Sequence, residues 1–421
     1  MTTPSPGTTR FDALTDGERL IARLRTLARI GARTDGGVNR QALTPEDAAA
    51  RKLVIGWAQQ AGLTAETDPI GNLYLRHTPA GAETVAPIVA GSHLDSQPAG
   101  GWLDGAYGVI AALEAVQSLK ENRAALSRPI EAVAWTNEEG SRFIPGVMGS
   151  SFYVDRLSIG EIEDKLDPDG VRLGDALAEL LAATPDLPIR EQPRPIAGLV
   201  EAHIEQGPIL EAERLTIGVV EGVQGMRWME VIVRGRTDHA GTTPLGQRRD
   251  AVMAATSMVQ ALADALHDPD DIIRFTVGRF IARPGAPNTV ADEVIFTIDL
   301  RHPNEGVLER STEMIRRVVA EKAGDCEADI ALQESLKPVR FDERIVETVA
   351  SATSDLGLPA RRMVSGAGHD AAVLAQSYPC GMIFVPCHKG ISHHPSENAD
   401  EADLIAGAAV LAETLRRLAS D

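Results

Sequence analysis

Residues 88–105 read IVAGSHLDSQPAGGWLDG, an apolar run that ends in a glycine-rich polar loop. Ile88, Val89 and Ala90 lead into His93 and Asp95, two positions apart, and a further carboxylate, Asp104, follows nine residues later. A helical pattern comes next at residues 107–119, and then a second strand-like run at 130–136. Strand, helix and strand in that order imply a largely parallel sheet wrapped by helices. In such sheets ligands gather beyond the carboxyl ends of the strands. Imidazole and carboxylate are ligands that suit zinc and its neighbours. By itself an H-x-D at a strand end is more often a satisfied surface pair, so other segments must supply the rest of any metal site.

Two further segments point to the same place. Glu138 and Glu139 follow the run at 130–136, and His203 and Glu205 follow the apolar lead Leu199-Val200. Adjacent carboxylates usually form a solvated acidic loop, but where cations sit one can bind metal while the other moves a proton. Near the C-terminus GISHHPSE places His393 and His394 after a buried-type strand at 382–385. Successive side chains of extended backbone point apart, so one of the two histidines is a ligand and the other a bystander. His93, Asp104, Glu139, His203 and one of His393 and His394 then form a three-histidine, two-carboxylate set. That set fits two metals sharing one bridging carboxylate.

Around this frame the helix signals are clear. Thr44 as N-cap, Pro45 at the first helical position and Gly62 past the end bracket one helix, Leu20, Leu24 and Leu27 mark an earlier one, and residues 402–418 form the last. From about residue 213 the character changes to strand, helix, strand, strand, helix, strand, with Val219, Val231 and Val233 in strands and Val294, Phe296, Ile298 and Leu300 alternating strictly. This predicts an inserted α+β domain at 213–337 within a domain formed by 1–212 and 338–421. His239, in TDHAGTTP, reads alone as a polar turn residue, and Arg301 as a surface charge or a carboxylate clamp.

With 421 residues, 43% of them hydrophobic, two domains are expected. A net charge of -19, from 60 acidic and 41 basic side chains, excludes the basic footprint of a nucleic-acid partner and gives no reason to expect a membrane surface. The opening MTTPSPGTTR lacks an apolar core of the signal-peptide kind and reads as disordered, and no run approaches the roughly 18 apolar residues of a span. Cys326, Cys380 and Cys387 are scattered and form no CxxC pair, a reducing-compartment pattern. Cytoplasmic localisation is the expectation.

Eight blocks carry a resemblance: GSHLDSQPAGGWLDG, WTNEEGSRF, EAHIEQGP, HAGTTP, PNTV, IDLR, SGAGHDA and GISHHPSE. In this order, from about residue 15 onward, they resemble the two-metal amidohydrolases that cleave N-carbamoyl amino acids. Those are relatives of β-ureidopropionase and allantoate amidohydrolase in the aminoacylase and carboxypeptidase clan. The resemblance implies a mixed, mostly parallel α/β sheet of the zinc-exopeptidase kind with a ferredoxin-like lid and dimerisation domain. It implies that His93, Asp104 and His203 hold one divalent ion and Asp104, Glu139 and His393 the other, zinc first, with manganese, cobalt and nickel open. Asp95 would orient His93, and Glu138 would be the general base. His239 would reach into a partner subunit's site. Gln206, Asn288, Arg301, Gly368 and His369 would meet the substrate, a small N-carbamoyl or ureido compound. Allantoate, ureidoglycolate or a peptide-like amide are alternatives, and so is a non-catalytic metal-binding relative, which would have no need of Glu138.

Overall fold

The computed structural model describes residues 14–190 and 193–420, so the MTTPSPGTTR opening lies outside the described residues. Six strands come first: β1 Thr64–Thr67, β2 Leu73–His77, β3 Ile88–His93, β4 Ile130–Trp135, β5 Gly198–Ile204 and β6 Ile217–Val223. Seven follow in the insertion: β7 Gly225–Arg234, β8 Asp238–His239, β9 Arg274–Thr276, β10 Phe280–Arg283, β11 Thr289–Val290, β12 Glu293–His302 and β13 Glu327–Leu336. The chain then adds β14 Val339–Arg340, β15 Ala360–Ser365 and β16 Cys380–Val385.

The first unit is built on a nine-stranded sheet in the order β1-β2-β4-β3-β5-β16-β6-β14, with β15 also on β6. The four central strands, β4, β3, β5 and β16, pair parallel, while β1 with β2, β2 with β4 and β6 with β16 pair antiparallel. Every residue of the four central strands is buried, as expected for strands covered on both faces. The helix Ala106–Glu121 lies against β3, β4 and β5 and is itself covered by Gly17–Leu27 and Glu401–Ser420. A Cβ at Gly108 would stand 2.3 Å from the Ala202 carbonyl oxygen, so glycine there lets the helix lie close on the sheet. The helix also buries Glu114, whose charge is met by Arg19 at 2.7 Å and Arg23 at 3.3 Å. Removing one side of such a buried pair costs about 3–5 kcal/mol. Thr44 caps Pro45–Gln60 by accepting the Asp47 N–H, and Gly62 follows with φ +67°.

The second unit, Val223–Val339, has the antiparallel order β13-β7-β12-β10, with β9 also on β12. The strands of a β-α-β-β-α-β chain are thus arranged 4-1-3-2, the ferredoxin-like order. Met229, Val231 and Val233 of β7 and Val294, Phe296, Ile298 and Leu300 of β12 point to one face. They form a single core with Met258 and Leu262 of Ala251–Ala265 and Ile315 and Val319 of Glu305–Lys322. The boundary expected at residue 213 falls too early. β6, with Val219, pairs with β16 (Val219 opposite Ile383) and belongs to the first sheet, so the division lies at Gly222 and Arg340.

Candidate metal centre

The carboxyl ends of the central strands bring together residues separated by up to three hundred positions. His93 is the last residue of β3, His203 lies near the end of β5, Glu138 and Glu139 follow β4, and His393 follows β16. Between β4 and the acidic pair the chain turns at Asn137, whose φ of +54° is one that asparagine tolerates better than most residues. Its amide donates to the carbonyls of Phe143 (2.8 Å) and Pro145 (3.0 Å), which holds the turn. Gly105 closes the loop after Asp104 with φ +63°. A Cβ there would fall 2.3 Å from the His93 ring, so only glycine lets Asp104 fold back over that imidazole.

Asp104 is central. Its Oδ1 lies 3.1 Å from His203 Nε2 and 3.6 Å from His93 Nε2, and its Oδ2 lies 3.2 Å from His393 Nε2. The latter nitrogen is also 3.4 Å from Glu139 Oε2. Two triads therefore share one carboxylate, and within each the ligand atoms lie within 4.8 Å of one another.

Hydrogen bonds fix the tautomers. His93 Nδ1 donates to the Asp95 carbonyl and His203 Nδ1 to the Ile204 carbonyl, both at 2.9 Å, so in the neutral rings Nε2 carries the lone pair. Gly105 N–H donates to His203 Nε2 at 3.2 Å, consistent with that assignment. A nitrogen lone pair facing a carboxylate oxygen needs a proton or a metal ion between them, and this donor set fits divalent ions of the zinc type.

Asp95 differs from expectation. It holds His93 with its main-chain carbonyl, while its carboxylate, 3.7 Å from His93 Nδ1, accepts the N–H groups of Glu138 and Glu139, each at 3.2 Å. It thus sets the backbone of the acidic pair. The two glutamates are then distinguished by Gln97, which the sequence reading missed. Its side-chain amide and backbone N–H donate to Glu139 at 2.6 and 3.1 Å. Glu138 is left with His93 Nε2 at 3.6 Å as its near neighbour.

The charges are strongly coupled. Burial pushes the Glu138 carboxyl well above its usual range, and the charges of Asp370, Glu139 and Asp95 add to this while His93 opposes it. Burial and then Asp104 raise Glu139 to about 7. His393 rises to about 9, chiefly through its hydrogen bond to Asp104. Burial works against a charged His93, yet Glu138, Asp104 and Asp95 hold it well above the ordinary imidazole value. Asp104 stays far below the carboxylate range, because its three imidazole partners outweigh burial.

The remaining candidates divide. Gln206, with φ +56°, donates to Asp104 Oδ2 at 3.0 Å, and its own Oε1 is buried with no partner among the described residues. Gly368 is exposed, but His369, expected at the substrate, is buried: its ring packs edge-on against His203 at 4.7 Å and pairs with Ser365 Oγ at 3.0 Å. His394 turns away to Ser396. His239, Asn288 and Arg301 lie on the second unit. There β8 and β11 bring His239 opposite Thr289, next to Asn288, and Arg301 forks onto Asp299 of its own strand. His239 Nδ1 accepts the N–H groups of Gly241 and Thr242, so the neutral ring carries its proton on Nε2. Ser392, Glu397 and Glu201 also went unread. Glu201 accepts from Ser92 Oγ at 2.6 Å and from the Ala371 N–H at 2.9 Å, behind the two buried histidines.

Residues 89–417 match the model of peptidase family M20/M25/M40. The chain belongs to this family. A protein named N-carbamoyl-L-amino-acid amidohydrolase from Paenarthrobacter aurescens is 38% identical over 410 residues, covering 95% of this chain and 98% of its own length. An allantoate amidohydrolase of Escherichia coli is 35% identical over 397 residues, covering 93% and 96%. A crystal structure of an amidase of the hydantoinase/carbamoylase family from Burkholderia multivorans superposes with a TM-score of 0.91. It is 42% identical and covers 97% of this chain and 99% of its own. Family M20 is metal-dependent, in keeping with the donor set around Asp104.

Proposed function

We propose that this protein, a hydrolase acting on C–N bonds, cleaves the bond between the carbamoyl carbon and the amino nitrogen of an N-carbamoyl amino acid, releasing the amino acid and carbamate, which then breaks down to ammonia and carbon dioxide. The observation that carries the reading is Asp104, which offers one oxygen to each of two histidine triads beside an untethered Glu138. His93, Asp104 and His203 would hold one divalent ion, and Asp104, Glu139 and His393 the other, zinc being the first candidate. Such a pair supplies Lewis acidity and lowers the pKa of water.

Glu138 takes the proton of the water that attacks the carbamoyl carbon and returns it to the departing amine nitrogen. Its freedom from the Gln97 tether suits a group that must move a proton, and Asp95 keeps its backbone in place. Gln206 Oε1, buried without a donor, is suited to accept a ureido N–H of the substrate. The names of the relatives support the carbamoyl class, and an allantoate amidohydrolase at comparable identity is the second reading.

The inserted unit would act as a lid and as the dimer contact of a homodimer, completing the site with His239, Asn288 and Arg301. The fixed tautomer of His239 supports its role, since Nε2–H is the donor an oxyanion needs. Arg301 would take the substrate carboxylate in exchange for Asp299. The three free thiols support a cytoplasmic setting, and among the described residues no helix is long and apolar enough to cross a membrane.

Ammonia release from N-carbamoyl-L-amino acids, N-carbamoyl β-amino acids and allantoate tests the reading. Turnover of the first class above the others supports it, and preference for allantoate replaces it with the second. Mixing His239→Ala with Glu138→Gln protein tests the shared site: verified hybrid dimers should recover part of the activity, and no recovery contradicts a donated His239.

A further inference from the structure

Glu397 has no part in the roles assigned above, yet it touches both halves of the centre. Its buried carboxylate accepts the backbone N–H of Leu103 and of Asp104 on Oε1, each at 3.0 Å, and Ser392 Oγ lies 2.9 Å from Oε2. Glycine at 101 makes the room, since a Cβ there would stand 2.1 Å from this carboxylate. Ser392 Oγ is also 3.1 Å from Asp104 Oδ2 and 3.1 Å from Gln206 Nε2.

A serine hydroxyl has one proton. The Gln206 nitrogen can only donate, so Ser392 faces two carboxylate acceptors with a single hydrogen to give. The distances favour Glu397. Moreover, Asp104 Oδ2 already accepts from Gln206 at 3.0 Å, whereas Ser392 is the one described donor to Glu397 Oε2.

We propose that Glu397 is a positioning residue that draws the Ser392 proton away from Asp104, leaving Asp104 Oδ2 an anionic oxygen for the ion shared with Glu139 and His393. The inference rests on Asp104 bridging two ions, as read above. It gives a buried carboxylate with no contact to the reacting atoms a defined effect on one ion: it sets the basicity of that ion's bridging ligand.

Glu397→Gln reverses the polarity. The amide oxygen must face the two backbone N–H groups, so the NH2 faces Ser392, which then turns its proton onto Asp104 Oδ2. Titration of the metal-free protein with Zn2+ by calorimetry should show one of two ions bound about 10–100-fold more weakly. Ser392→Ala has no proton to turn. Adding it to Glu397→Gln should therefore restore affinity to within about threefold of Ser392→Ala alone, a departure from additivity in the rescuing direction. A double variant as weak as Glu397→Gln, or Glu397→Gln binding both ions like the wild type, overturns the proposal. So does a fall in the melting temperature of metal-free Glu397→Gln that the second substitution leaves in place, because Glu397 would then be a plain structural tie. If the wild type itself takes up a single ion, the bridge is wrong and this proposal falls with it. Two ions in the wild type without rescue contradict this proposal alone.

Discussion

The two triads that share Asp104 are built differently. His93 and His203 sit on central strands, are almost fully buried, and have both rings locked by carbonyl acceptors. His393 sits in a loop with φ +54°, and half of its side chain is exposed. Its proposed fellow ligand Glu139 follows a strand but depends on Gln97 for its orientation. A site assembled by strand ends is preorganised by the sheet itself, whereas one assembled by loops depends on the hydrogen bonds around it. The account therefore expects a tight ion on the His93 side and a weaker one on the His393 side.

The largest effect should come from the proposed general base, which belongs to neither triad. Glu138→Gln should retain two ions and lower kcat by about 10²–10⁴-fold. Near-normal turnover in ammonia release would show that the proton passes elsewhere. Next come the proposed ligands. His203→Ala should weaken the tight ion by more than the about 10–100-fold that hydrogen-bonding partners of ligands typically cost. His393→Ala should lose the weaker ion and spare the tight one, and equal losses in a metal titration would erase the distinction between the triads. Gln97→Ala should act on the His393 side alone, by about 10–100-fold in affinity.

The smallest effect, per pH unit, is one of pH. In the metal-free protein His393 and Glu139 hold protons up to about 9 and about 7. An ion on that side must displace them, so its affinity should rise with pH from 7 to 9, by about tenfold per unit for one displaced proton. Calorimetry in buffers of different ionisation enthalpy measures the release, and its absence would mean that His393 is already neutral there.

What could be read from the chain follows the same contrast. His93, Glu139, His203 and the pair His393 and His394 each follow an apolar run, with Asp104 in the glycine-rich loop after the first, and the family resemblance chose His393; the structure brings the side chains of His93, Asp104, Glu139, His203 and His393 together. The ferredoxin-like insertion announced itself through the strict alternation of Val294, Phe296, Ile298 and Leu300, which packs as a single core face. Its boundary was not legible, because only pairing with β16 reveals that β6 belongs to the first sheet. Gln97, Ser392 and Glu397 were likewise hidden. A glutamine, a serine and a glutamate in polar loops look like surface residues until folding buries Glu397 and aims Gln97 at Glu139. Asp95 shows a finer limit: its spacing from His93 indicated contact but could not say that the carbonyl, not the carboxylate, would hold the ring. His369 was expected at the substrate from its motif, and the structure packs its ring edge-on against His203.

The central claim, two unequal ions bridged by Asp104 in a C–N hydrolase, is tested most directly by titrating the metal-free wild-type protein with Zn2+ while following ammonia release from an N-carbamoyl-L-amino acid. The account predicts a two-step isotherm, with the second, weaker ion bringing most of the activity. Full activity at one ion per chain, or a single binding step, would contradict it.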